Sequence, residues 1–176
     1  MRNQLAAYWG ELAELIGTMS MSQITRAAET LLDCHRRQAT VFVVGNGGSA
    51  ATASHFACDL AKGTRTDGVA PFRVVPLTDN VPLLTAWAND TNYERVFAEQ
   101  LSTLVRSGDV VVAISASGNS PNVLAAAEVA RLAGATVIAW TGETGGRLRH
   151  LADLTIRIPA EAIEQVEDAH MVIAHS

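Results

Sequence analysis

The chain has 176 residues, 48% hydrophobic and 18% charged, a length and composition that suit one compact domain and exclude disorder, collagen repeats and small disulfide scaffolds. A chain of this size buries roughly 70% of its unfolded surface, so it needs no metal or disulfide merely to hold a core. Thirteen basic and eighteen acidic side chains give a net charge of -5, with the positives scattered rather than gathered into a stripe, which argues against nucleic-acid binding and leaves any anionic ligand in need of local help.

The N-terminal segment has neither the basic nor the apolar region of a signal peptide, and the two cysteines are Cys34 and Cys58, so the expected compartment is the reducing cytoplasm. The longest aliphatic run, residues 110–114, is far short of the roughly 20 apolar residues of a membrane span, and no membrane partner is expected. In chain order, Leu5, Trp9, Leu12 and Ile16 recur at helical spacing in a first helix. This stripe exceeds what a small sheet must cover, which predicts at least a dimer built on the first 37 or so residues. A second helix over 22–37 precedes the strand VFVV at 41–44. A helix follows over 49–62, a strand over 73–77, and helices over 81–88 and 93–105. The alternation then repeats: strand 109–114, helix 121–133, strands 135–141 and 154–158, and a closing helix over 162–175. No linker or repeat divides 1–176. Strands separated by helices predict a three-layer α/β sandwich, a central parallel sheet with helices on both faces.

In such sheets ligands bind beyond the carboxyl ends of the strands. The loop after VFVV reads Gly45-Asn46-Gly47-Gly48-Ser49-Ala50, and the loop after VVVAI reads Ser115-Ala116-Ser117-Gly118-Asn119-Ser120. Each opens a helix whose free N–H groups and positive dipole end favour an anion, and the serine hydroxyls add neutral donors. Taken singly, either loop reads equally as a tight turn with Ser49 or Asn119 as a cap; two of them on successive parallel strands favour a phosphate site. Gly45, Gly47 and Ala50 also match the dinucleotide fingerprint, but the nearest strand-end acid, Asp79, lies well beyond the expected spacing of about 20 residues, and the second loop would be left unexplained.

GNGGSA, the segment ASHFACDL, AND at residues 88–90, ISASGNS, TGETGG and the terminal VEDAHMVIAH together closely resemble the sugar isomerase (SIS) family in order and spacing, over about residues 5–175. The His and acid positions resemble its phosphoheptose isomerase branch. The resemblance implies a three-layer fold, a homotetramer with sites between subunits, a phosphosugar held by the two loops, and zinc.

His55 and Asp59 lie four residues apart on one helical face, and Glu167, Met171 and His175 form a second row that drifts by only about 80° over its length, with His170 on a different side. From spacing alone these are surface or capping pairs and ordinary helix residues; two imidazoles and two carboxylates do, however, suit zinc with a position left open. The resemblance implies that His55, Asp59, Glu167 and His175 hold the metal and that Asp59 and His175 carry acid–base chemistry. It further implies that Gly47, Gly48, Ser49, Ser115, Ala116, Ser117 and Ser120 contact substrate, with Asn46, Asn89, Asp90, Asp59 and Glu167 at the sugar. Asp59 stands where the branch has Glu, Glu167 where it has Gln, and Ala116 where it has Thr. Lys62, Arg65 and Arg73 read as solvated charges, and Cys58 as a small core residue rather than a nucleophile. The expected activity is interconversion of sedoheptulose 7-phosphate and glycero-manno-heptose 7-phosphate. The rival is a non-catalytic phosphosugar-binding adaptor of the kind that binds the replication initiator.

Overall fold

Along Thr40–Val44 (β1) successive side chains face opposite layers: Val41 and Val43 join one apolar cluster, Phe42 and Val44 the other. The same division runs through Val110–Ser115 (β3) and Thr136–Gly142 (β4), both buried along almost their whole length, as parallel strands covered on two faces must be. The structure is a computed structural model that describes residues 2–176. Arg73–Pro76 (β2) and Leu154–Ile158 (β5) complete a five-stranded sheet in the order β2-β1-β3-β4-β5, parallel at every pairing.

The helices Arg2–Thr18 (α1), Met21–Arg36 (α2), Gly48–Cys58 (α3) and Ile163–His175 (α7) contribute Leu15, Leu31, Phe56, Val166 and Ile173 to the cluster that contains Val41. Val81–Asp90 (α4), Val96–Leu104 (α5) and Pro121–Leu132 (α6) cover the other face with Leu84, Leu101 and Leu124. The three layers are those read from the sequence. No helix is long and apolar enough to cross a membrane among the described residues.

Three local features depart from expectation. The helix drawn over 49–62 is α-helical only to Cys58 and continues as a π-turn over Asp59–Gly63, in which Thr64 N–H reaches back to the Asp59 carbonyl (3.2 Å). Cys58, expected in the core, is exposed, and Cys34 is the buried cysteine; the inward positions of this segment are 49, 52, 53, 56, 57 and 60, a helical repeat that leaves 58 outside. Finally, the apolar stripe of α1 is split. Leu12 packs on the core beside buried Leu15, whereas Leu5 and Trp9 are 58% and 70% exposed. Tyr8 and Gln165 tie α1 to α7 through hydrogen bonds to Asp168 and Glu11, and the Asp168 carboxylate pushes the Tyr8 pKa up to about 12.

Candidate active site

The strand order reverses between β1 and β3, which pair from Val41–Val110 to Val44–Ala113. The two glycine and serine loops therefore leave adjacent strands in the same direction, on either side of the crevice where open α/β sheets bind ligands. Neither following helix is capped by a side chain. Gly47 holds the cap position of α3, and Ser120, at the cap position of α6, instead bonds Ser115 Oγ (3.0 Å). Both helix ends thus keep their dipole for an anion, together with the backbone N–H groups of Gly48 and Ser49 on α3 and, since Pro121 has none, that of Asn122 on α6. Ser49 and Ser115 are buried beneath this mouth, Ser120 is half-buried and Ser117 exposed.

The second loop is clamped from the side by the TGETGG segment and the two residues after it, Arg147 and Leu148. The Ala116 carbonyl accepts Gly142 N–H (2.8 Å), the Gly118 carbonyl accepts Leu148 N–H (2.9 Å), and Asn119 Oδ1 accepts Arg147 N–H (3.0 Å). Gly118 has φ +63°, and a Cβ there would strike the Gly145 carbonyl, so glycine is required both by the turn and by the close approach. In the first loop, Asn46 forms a reciprocal amide pair with Asn122 (2.8 Å in each direction) and accepts the Tyr93 hydroxyl (3.0 Å). Neither Asn122 nor Tyr93 carried a sequence signal, because their role depends on a contact across the sheet. Asn89 and Asp90 are exposed in the last turn of α4 and bond each other (2.9 Å); no hydrogen bond joins them to either loop among the described residues.

Of the four expected metal ligands, three converge. His55 Nε2 lies 2.8 Å from His175 Nε2, and Asp59 Oδ2 lies 3.2 Å and 3.7 Å from these two nitrogens. Zinc bonds of about 2.0–2.1 Å in a tetrahedral set hold donor atoms roughly 3.3–3.5 Å apart; the two Asp59 spacings bracket that range, and the two imidazole nitrogens lie closer, at hydrogen-bond distance. The donor chemistry agrees. Two imidazole nitrogens and a carboxylate oxygen aimed at one point are donor types that a divalent cation takes, and a cation there would replace the proton that joins the two Nε2 atoms. The trio is accessible, with side-chain exposures of 47%, 39% and 55% for His55, Asp59 and His175.

Glu167 is not brought into the trio. Its carboxylate lies over Gly48, where any Cβ would collide with it. The contacts Gly48–Glu167 and His55–His175 are seven residues apart on α3 and eight on α7, so the two helices run side by side in the same direction. A rise of about 1.5 Å per residue puts roughly 11 Å between the two levels. The first phosphate loop and Glu167 thus stand at one level of the α3–α7 pair, and the imidazole pair roughly two turns further along. His170, on a different side of α7, is fully buried against Trp140 with Nε2 3.4 Å from the Thr141 carbonyl. Burial pushes its pKa down to about 4, so it is neutral at pH 7.

These loops and helices define a class of protein that the comparisons identify. The SIS domain model matches residues 6–142, and the chain belongs to that family. Within it, the chain falls in the phosphoheptose isomerase branch. It is 44% identical over 148 residues to the phosphoheptose isomerase of Mycobacterium tuberculosis, covering 84% of this chain and 75% of that protein. It is 41% identical over 152 residues to the enzyme of Rhodospirillum rubrum, covering 86% and 80%. The solved phosphoheptose isomerase of Neisseria gonorrhoeae superposes with a TM-score of 0.91 at 32% identity, over 99% of this chain and 94% of that one.

Proposed function

We propose that the protein is an aldose–ketose isomerase interconverting sedoheptulose 7-phosphate and D-glycero-D-manno-heptose 7-phosphate. The observation that carries this reading is the packing of α3 on α7, which sets two uncapped helix N-termini for a phosphate at one level and a His-Asp-His cluster at the other. The likeness to named phosphoheptose isomerases supports it.

In the reaction one C–H bond breaks at C1, one forms at C2, and a hydroxyl proton moves from O1 to O2. Asp59 is the base that takes the C1 proton and then, as the acid, delivers a proton to C2 of the enediolate. His175 handles the protons of the two oxygens. Ser49, Ser115, Ser117 and Ser120 hold the phosphate with the N–H groups of both helices, Gly47, Gly48 and Ala116 contribute backbone, and Asn46, Asn89 and Asp90 hold hydroxyls. We assign a zinc ion to His55, Asp59 and His175, while Glu167 stays at Gly48, apart from them; bound there, the ion would supply an electrophile for the carbonyl oxygen.

The same reading places the protein in the cytoplasm as one SIS domain spanning 1–176 and assembles it as a homotetramer through α1 and α2, with exposed Leu5 and Trp9 on the seam. A purely binding role has no use for three metal-ligating side chains aimed at one point. Phosphorus NMR of the purified protein with sedoheptulose 7-phosphate tests the proposal. Aldose 7-phosphate is expected with zinc present and not after chelation; its absence under both conditions overturns the reading.

A further inference from the structure

Asn122 is 2% exposed in the first turn of α6, where a buried amide demands partners. Its Oδ1 accepts its neighbour Val123 N–H (3.0 Å) and Asn46 Nδ2 (2.8 Å), and its Nδ2 donates to Asn46 Oδ1 (2.8 Å). The backbone donor at Val123 fixes which atom of the Asn122 amide is oxygen, and the reciprocal pair then fixes Asn46. With the Tyr93 hydroxyl also donating to it (3.0 Å), Asn46 Oδ1 has both lone pairs engaged, and a single Nδ2 hydrogen is left free. Asn46 can therefore offer the crevice a donor and no acceptor.

We propose that Asn122 is a positioning residue for substrate binding, holding the Asn46 amide with its free N–H toward an oxygen of the sugar phosphate and fixing the first anion loop against the helix that opens from the second. The inference rests on the functional reading for the identity of the ligand alone. The pair crosses the point where the strand order reverses, joining the loop after β1 to the start of α6. Nothing else among the hydrogen bonds of the described residues joins Asn46 to α6.

Asn122→Asp is the informative variant. It keeps the shape, still accepts from Val123 and from Asn46 Nδ2, and puts a negative side chain in the first turn of a helix, where the dipole favours it. What it loses is the donor to Asn46 Oδ1, which then faces a second carboxylate oxygen. The expected result is a folded protein with its melting temperature lowered by about 5–10 °C, because the buried carboxylate faces Asn46 Oδ1, with KM for sedoheptulose 7-phosphate raised roughly tenfold and kcat changed by less than about threefold. Asn46→Ala weakens binding to a similar degree. The double variant Asn46→Ala/Asn122→Asp binds no worse than Asn46→Ala, because the second change acts through a side chain already removed. Unchanged KM in Asn122→Asp, or effects that multiply in the double variant, overturns the proposal. If the wild type does not turn over the sugar phosphate, the functional reading fails, and the same variants are compared by calorimetry with inorganic phosphate. Weakened and non-additive phosphate binding then upholds the positioning role, and equal affinities refute it.

Discussion

Replacing Gly118 with alanine combines two costs that the structure separates. The backbone at φ +63° is left-handed, where a Cβ costs about 1–2 kcal/mol. The added Cβ also meets Gly145 and Gly146 backbone (Gly146 N at 2.9 Å), and backbone cannot swing aside as a flexible side chain can, which adds about 1–3 kcal/mol of overpacking. Together they come to about 3 kcal/mol. For a domain of this size each kcal/mol lowers Tm by about 2–4 °C, so Gly118→Ala is expected to melt about 6–12 °C early. Gly68 supplies the control: φ +79° with nothing within 4 Å of a Cβ, so Gly68→Ala carries the backbone cost alone and loses about 4–5 °C. The assay is thermal unfolding by circular dichroism, paired with phosphate affinity by calorimetry. Gly118→Ala should weaken phosphate by about tenfold or more as the SASGNS loop moves off the TGETGG clamp, and Gly68→Ala should not. Equal melting losses in the two variants, or full phosphate affinity in Gly118→Ala, would refute the claim that close approach of these loops shapes the anion mouth.

Other predictions concern the buried histidine, the metal and the assembly. His170 has its folded pKa lowered to about 4 by burial, against about 6.5 unfolded. The unfolded chain therefore binds the extra proton between these values, and stability falls by about 3 kcal/mol as pH drops from 7 to 4. Urea unfolding should show this loss in wild type and a smaller one in His170→Gln; parallel pH dependences would contradict it. Zinc at about 100 times its Kd is expected to stabilise the fold by about 2.7 kcal/mol, and elemental analysis should find the ion depleted in His55→Ala and His175→Ala; undiminished metal in both variants would remove the site. Light scattering is expected to give a tetramer, or at least a dimer, and charge placed at the seam by Leu5→Glu/Trp9→Glu should reduce it to smaller species. A wild-type monomer at micromolar concentration would end the interface proposal.

Much of this architecture is written in short-range pattern. VFVV and VVVAI, bounded by polar and glycine residues, are read as buried strands because they are apolar on both faces. The helices between them dictate parallel pairing, which sets both loops at one end of the sheet. What the pattern cannot carry is register between helices. The i, i+4, i+8 row put Glu167 and His175 on one face of α7, but about 12 Å of helix lies between them, and alignment with α3 sets Glu167 at Gly48 and His175 at His55. The π-turn at Asp59 is equally hidden, since DLAKG continues a helical pattern and has no proline to mark a change. The stripe on α1 was real as a period, yet which of its residues turn inward depends on how α1 sits on α7. Asn122 sits in a helix start that looks ordinary until the loop across the sheet is seen.

The central claim is that Asp59 moves a carbon-bound proton at the level of α3 and α7 remote from the phosphate loops. The Asp59 side chain is 39% exposed, so a proton it takes from C1 exchanges with water before delivery to C2. Run in heavy water with zinc-loaded protein and sedoheptulose 7-phosphate, the reaction should yield aldose carrying deuterium at C2, seen as loss of the C2 proton signal in NMR. Asp59→Asn should form no such product. Aldose formed without deuterium, or formed at the wild-type rate by Asp59→Asn, would contradict the account.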